Sequence, residues 1–80
     1  MKKVEVKLYA DLRRYYPKLK VNEALTITLD DGANLGNLLD ELKIPREEIT
    51  MTTINGKQKE EGYLLQNGDR AGIFPLIGGG

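Results

Sequence analysis

The chain has 80 residues, of which 40% are apolar and 30% charged, with 12 basic residues against 12 acidic ones. This length fits one domain, and the composition is too apolar and too balanced in charge for a disordered protein. The sequence contains no cysteine and no histidine. A disulfide framework, a Cys/His zinc site, a histidine general base and a Cys–His or Ser–His nucleophile are therefore excluded.

The sequence also predicts the location of the chain and excludes two classes of partner. No apolar run approaches the ~20 residues of a membrane span, and no signal peptide is recognisable, so we expect a cytoplasmic protein without a membrane partner. Residues 1–20 contain seven Lys and Arg against two acidic side chains. This basic end is interpreted either as a solvated strand edge and helix face or as a nucleic-acid footprint. The sequence pI of about 6.2 argues against nucleic acid, and we expect no nucleic-acid partner.

Two strands are predicted near the beginning. Residues 2–9 alternate between apolar and polar side chains, and residues 24–29 do the same, so we expect two half-buried strands paired antiparallel. Between them, residues 10–16 predict a short helix or turn that Pro17 ends. The apolar side chains expected to face the core are Val4, Val6, Leu8, Leu25, Ile27 and Leu29.

A helix is predicted at residues 35–42, because leucines at positions 35, 38, 39 and 42 form one apolar stripe. Asn34 can cap this helix, and Pro45 follows its end. Gly36 weakens the helix by ~1 kcal/mol relative to alanine, so packing of the leucines on a sheet must stabilise it.

The second half of the chain predicts further strands. Asn55 and Gly56 form a hairpin signal between residues 51–54 and 57–60, and residues 67–69 predict another turn. Residues 71–74 are apolar at consecutive positions, as in a strand covered on both faces. The order of elements predicts an α+β fold with one main helix on a mixed sheet of four or five strands.

The end of the chain, residues 74–80 with the sequence FPLIGGG, carries the strongest functional signal. Pro75 has no N–H for a strand ladder, which predicts a domain of residues 1–74 and a tail of residues 75–80. Glycines pass through a narrow channel and leave the α-carboxylate of Gly80 open to attack. Because the sequence contains no phosphate-binding loop, a partner must activate that carboxylate. A frayed end or an added terminal sequence is the alternative.

Four internal segments precede this tail in a characteristic order: VKLYADLR at 6–13, DGANLGNLL at 31–39, ING at 54–56 and NGDR at 67–70. In this order the chain resembles, from end to end, the MoaD/ThiS family of sulfur carriers, which are ubiquitin-like β-grasp proteins ending in Gly-Gly. The tail most resembles that of the molybdopterin-synthase small subunit, where the usual pattern is Phe-Pro-Pro-Val-(Ser/Ala)-Gly-Gly. Leu76 and Gly78 depart from that pattern.

The resemblance implies a carrier that is not an enzyme on its own and binds no cofactor itself. An E1-like partner uses ATP to adenylate Gly80, a persulfide sulfur donor replaces the AMP, and the resulting thiocarboxylate donates its sulfur. In the molybdopterin branch the tail enters a larger catalytic subunit, where the sulfur builds the dithiolene that holds molybdenum or tungsten. The tail residues implied to enter that active site are Pro75, Leu76, Ile77, Gly78 and Gly79.

Three alternatives remain open: a sulfur carrier for thiamine or another pathway, a ubiquitin-like modifier conjugated to lysines through Gly80, and an interaction module. Tyr9 faces away from the predicted core and, with Phe74 at the base of the tail, would form a partner-binding patch. The alternative for each is a core or incidental surface position. No metal site is expected, since the acidic side chains fit a solvated surface: Glu47, Glu48, Glu60 and Glu61.

Overall fold

The computed structural model describes residues 1–20 and 22–75. Its strands and helix are β1 (Lys2–Leu8), β2 (Leu25–Leu29), α1 (Leu35–Leu42), β3 (Ile49–Ile54), β4 (Lys57–Gln58) and β5 (Arg70–Pro75), with 3₁₀ helices at Ala10–Tyr15 and Arg46–Glu48. The predicted helix is confirmed at its predicted bounds, whereas the strands differ from prediction by one or two residues at their ends. None of the helices in the described part of the chain is long and apolar enough to span a membrane.

The strands form one sheet in the order β2-β1-β5-β3-β4. β1 and β5 pair parallel in the middle, and the other neighbours pair antiparallel. Residues 71–73 of β5 are buried, which agrees with a strand covered on both faces. The predicted architecture of one main helix on a mixed sheet, including the antiparallel β1–β2 pair, is confirmed, and it is that of the ubiquitin-like β-grasp fold.

One face of the sheet, called here the inner face, packs against α1 to form the core. Val4 and Val6 of β1 and Ile73 of β5 are completely buried there. Burial of each such aliphatic side chain contributes about 1.5–3 kcal/mol. The buried residues of the helix stripe are Leu35, Leu38, Leu39 and Leu42.

The beginning of α1 is held by its cap and by a close neighbouring segment. Asn34 and Asn37 form a capping box, in which each side-chain Oδ1 accepts the other residue's N–H at 2.9 Å. A Cβ at Gly36 would lie 3.1 Å from Oε1 of Glu61. The missing side chain lets the segment at Glu61 pass closely enough for its carbonyl to accept the Gly36 N–H at 2.9 Å. This contact offsets the low helix propensity of Gly36.

Lys2 departs from the expectation of a solvated basic end, because it is only 4% exposed. Its ammonium donates to the carbonyls of Asp31 at 2.8 Å and Ala33 at 2.9 Å, and to that of Leu65. These acceptors satisfy the three N–H donors of the ammonium in place of water. Strand alternation puts Lys2 on the same side as Val4, so the inner face includes a lysine that ties β1 to two loops.

Candidate functional site

The candidate site lies where β1 ends beside β5. Tyr9 directly follows β1, and its N–H donates to the carbonyl of Ile73 at 3.1 Å. This bond places Tyr9 next to Phe74, and the two rings stack with centroids 4.2 Å apart and an interplanar angle of 9°. Both residues are half-buried. The structure therefore brings together the two residues predicted for the partner-binding patch, while their role in binding stays a prediction.

The stacked rings lie on the outer face of the sheet, opposite α1. Side chains alternate along a strand, so Tyr9 points away from the side of Leu8, and Phe74 away from that of Ile73. Phe74 is opposite the half-buried Met51 in the antiparallel β3–β5 register. We call Tyr9, Met51 and Phe74 the outer aromatic patch.

A cation borders the outer aromatic patch. The ammonium nitrogen of Lys7 lies 5.4 Å from the centroid of the Tyr9 ring, within cation–π range. Aromatic side chains and methionine are enriched in surfaces that bind another protein.

Gly72 makes room for the stack. A Cβ there would lie 3.3 Å from a ring carbon of Tyr9, 3.3 Å from one of Phe74 and 2.8 Å from Oγ1 of Thr53. The rings can therefore lie close to the backbone of β5 only because this position has no side chain. Gly72 is not among the residues predicted for the site from the sequence. The available signal was a glycine inside a predicted buried strand, which often marks close approach by another group.

Pro75 belongs to β5, which corrects its prediction as the first tail residue. It is buried and paired with Ile49. The Ile73 carbonyl faces β1, since it accepts from Tyr9, and the nitrogen of Pro75 two residues later faces the same side. β1 has already ended at Leu8, so the missing N–H of Pro75 removes no hydrogen bond from the ladder.

The remaining tail residues lie outside the described residues, and the roles predicted for them stay predictions. These are Leu76, Ile77, Gly78, Gly79 and Gly80. Pro75, the last described residue, lies at the end of the sheet that carries the outer aromatic patch.

Two of the acidic residues are held in ion pairs with arginines. Glu48 accepts from the Tyr15 hydroxyl and from Arg14, and these bonds, that of Tyr15 foremost, lower the pKa of the Glu48 carboxyl. The guanidinium of Arg46 lies 2.9 Å from Glu61 and lowers the pKa of that carboxyl. Over residues 1–20 and 22–75, no three side chains of the metal-ligating types cluster as a candidate ion site.

The fold and a family model together define the class of protein. The five-stranded mixed sheet with one main helix is the architecture of a ubiquitin-like protein. A family model described as Mut7-C ubiquitin matches residues 1–78. The chain belongs to the Mut7-C ubiquitin family. The resemblance to the ubiquitin-like MoaD/ThiS proteins is thereby confirmed. No curated protein matches the sequence.

Solved structures share this fold. One provisionally named molybdopterin converting factor, subunit 1, from Pyrococcus furiosus superposes with a TM-score of 0.78 at 25% identity, covering 96% of this chain and 100% of that one. SAMP1 from Haloferax volcanii superposes with a TM-score of 0.75 at 23% identity, covering 98% and 99% of the two chains. A structure of the Haloferax volcanii small archaeal modifier protein 1 has a TM-score of 0.76 at 20% identity, covering 96% and 100%.

Proposed function

We propose that this chain is a ubiquitin-like sulfur carrier whose reactive group is the C-terminal carboxylate of Gly80. The observation that carries the proposal is the junction between the sheet and the tail. Pro75 is anchored in β5, directly after Phe74 of the half-buried Tyr9–Phe74 stack. A partner bound to the outer aromatic patch would therefore receive residues 76–80 from a fixed starting point, with a reach of roughly 17 Å when extended.

The proposed chemistry needs only a main-chain carboxylate from this protein. In the E1-like partner, a carboxylate oxygen of Gly80 attacks the α-phosphorus of ATP, and pyrophosphate leaves. The terminal sulfur of a persulfide then attacks the acyl carbon, and AMP leaves. A thiol reduces the resulting acyl disulfide, which releases the Gly80 thiocarboxylate. The absence of cysteine and histidine from the sequence supports this division, because no side chain here provides the usual nucleophile.

We further propose that the thiocarboxylate serves a molybdopterin synthase-type complex in molybdenum or tungsten cofactor biosynthesis. Leu76, Ile77, Gly78 and Gly79 would thread into the larger catalytic subunit, which accepts the sulfur onto a pterin precursor. The FPLIGGG ending and the likeness to a provisionally named molybdopterin converting factor subunit support this branch. A cytoplasmic location is part of this proposal, and the need for ATP supports it.

A second candidate is conjugation to lysine amines through Gly80. The shared fold with the small archaeal modifier protein 1 favours it. Both candidates begin with the same adenylate, and they differ in whether sulfur or an amine attacks the acyl carbon. A carrier for thiamine or another sulfur-requiring pathway would share the thiocarboxylate and differ only in the final acceptor.

The intact mass of the protein tests the proposal. We expect incubation with a competent E1-like enzyme, ATP and a persulfide donor to raise the mass by the difference between sulfur and oxygen. A variant with one alanine added after Gly80 has the same fold and a blocked glycine terminus, so its mass should not change. An unchanged mass of the unextended protein, with a partner that activates a known carrier in parallel, would contradict the proposal. Lysine-linked conjugates that need Gly79-Gly80, without any thiocarboxylate, would favour the modifier.

A further inference from the structure

β2 forms one edge of the sheet, and its outer side pairs with no other strand within residues 1–20 and 22–75. Its sequence, LTITL at residues 25–29, contains no charge and no proline, and its register with β1 is unbroken. The opposite edge strand, β4, has only two residues, Lys57 and Gln58. Native sheets usually protect an open edge by a short strand, a charge, a proline or a bulge. β4 has this protection and β2 does not.

The pairing of β2 with β1 determines which backbone N–H and C=O groups of β2 point outward, away from β1. Lys3 faces away from β2, because its N–H donates to Oδ1 of Asn67 at 2.8 Å and its carbonyl accepts from Gly68 at 2.8 Å. Lys3 is opposite Thr28 in the antiparallel register. In an antiparallel pair of strands, the backbone N–H and C=O groups of two opposite residues either point toward each other or both point away from each other. The N–H and C=O of Thr28 therefore point outward, as do those of Thr26 two residues earlier.

The sequence of β2 reads the same in both directions. Two copies placed antiparallel about a two-fold axis at Ile27 would put Thr26 opposite the second copy's Thr28. The outward groups of these threonines would then exchange four hydrogen bonds, and all the leucines and isoleucines would share one face. Such a self-complementary surface forms a closed dimer, because each copy presents the same patch to the other.

The apolar side of this edge is not fully covered. Leu25 and Ile27 are half-buried, whereas Val4 and Val6 of the neighbouring strand β1 are completely buried. At Leu25 the edge continues into a groove of about 390 Å³ that Tyr16 and Leu19 also line. We propose that β2 is a homodimerisation edge, through which two copies of this chain join their sheets into one continuous sheet. This inference does not depend on the chemistry at Gly80.

Disulfide crosslinking tests the register, because the chain has no cysteine of its own. In the proposed dimer position 27 is opposite itself in a non-hydrogen-bonded pair, with Cα atoms about 4.5 Å apart, within reach of a disulfide. Position 26 is offset from its own copy by two residues, roughly 7–8 Å, which a disulfide does not span. We expect oxidised Ile27→Cys to form covalent dimers at least ~10 times faster than the matched Thr26→Cys variant, since the thiol separations differ in this way.

Sedimentation equilibrium provides the second test. The N–H of Thr28 takes no part in the β1–β2 ladder, so Thr28→Pro should fold normally while losing the intermolecular bonds of that N–H. We expect a wild-type dimer between about 1 µM and 1 mM protein, a dissociation constant at least ~10 times higher for Thr28→Pro, and little change for the matched Thr28→Val. A monomer throughout this range overturns the inference. So does a dimer that Thr28→Pro leaves unchanged, an open-ended oligomer, or equal crosslinking at positions 26 and 27.

Discussion

The two faces of the sheet use the same strands in different ways. On the inner face, side chains of β1 and β5 such as Val6 and Ile73 are completely buried against α1. On the outer face, Tyr9 and Phe74 stack over Gly72 and are only half-buried. The inner face stabilises the fold, and we infer that the outer aromatic patch binds a partner. Substitutions on each face should therefore separate stability from binding.

The largest expected effect is the loss of a buried leucine on the inner face. Leu38→Ala removes a completely buried side chain and should lower the free energy of unfolding by about 2–5 kcal/mol. The outer-face control Glu5→Ala should change it by less than ~0.5 kcal/mol. Urea unfolding followed by circular dichroism measures both, and similar losses for the two variants would contradict the assignment of the faces.

The second effect tests Lys2, the buried lysine of the inner face. Lys2→Met leaves the carbonyls of Asp31, Ala33 and Leu65 without the ammonium donors and should cost about 2–3 kcal/mol of unfolding free energy. Lys3 points to the other face and is exposed, so Lys3→Met should change stability by less than ~0.5 kcal/mol. Equal stability of the two variants in urea would show that the three carbonyls do not need the lysine.

A smaller effect is expected where the outer aromatic patch meets the backbone. Gly72→Ala brings a Cβ to 2.8 Å from Oγ1 of Thr53 and 3.3 Å from both rings. We expect a loss of about 1–2 kcal/mol of unfolding free energy, because the hydroxyl and rings must shift. The near-ultraviolet circular dichroism of the tyrosines should change with it. Gly32→Ala is the matched control, since a Cβ there has no neighbour within 4 Å. An unaltered spectrum of Gly72→Ala would rule out a stack that rests on Gly72.

The smallest effect concerns pH. Glu61 has a pKa below its usual value, chiefly because Arg46 donates hydrogen bonds to it. A lowered pKa in the folded state means that this pair stabilises the protein above the unfolded-state pKa, near 4.3, and that the contribution is lost as pH falls through the folded-state pKa. Glu61→Gln should remove this part of the stability lost on acidification, which amounts to less than ~1 kcal/mol because the pair is exposed, and so should flatten the acid-side slope. An identical slope in both proteins would contradict the role of the pair.

Much of the fold follows from local patterns in the sequence. The leucine spacing defines α1, and alternation defines β1 and β2, because these signals depend on neighbouring residues. The parallel pairing of β1 with β5 joins the two ends of the chain, and no local signal specifies it. Lys2 shows a conflict between two signals: alternation places it inside and its charge outside. The structure follows alternation because carbonyls from distant loops meet the ammonium.

The site was predictable in part. Strand alternation placed Tyr9 away from the predicted core, and Phe74 was assigned to the same patch because it stands at the base of the tail. The close packing over Gly72 depends on three strands that meet only in the folded sheet, so the sequence alone does not reveal it. Pro75 was expected to leave the sheet because it lacks an N–H. Which side that nitrogen faces, and that β1 has ended there, depends on the register.

The most direct test of the central claim follows the conversion of Gly80 by intact mass in the wild-type protein and in Tyr9→Ala, with a competent E1-like enzyme, ATP and a persulfide donor. We expect the wild type to gain sulfur. Tyr9→Ala should need at least ~10 times more protein for half-maximal conversion at an unchanged maximal rate, because it loses docking area without altering the terminus. A wild-type protein that gains no sulfur would contradict the carrier function, and equal half-maximal concentrations would contradict docking through the outer aromatic patch.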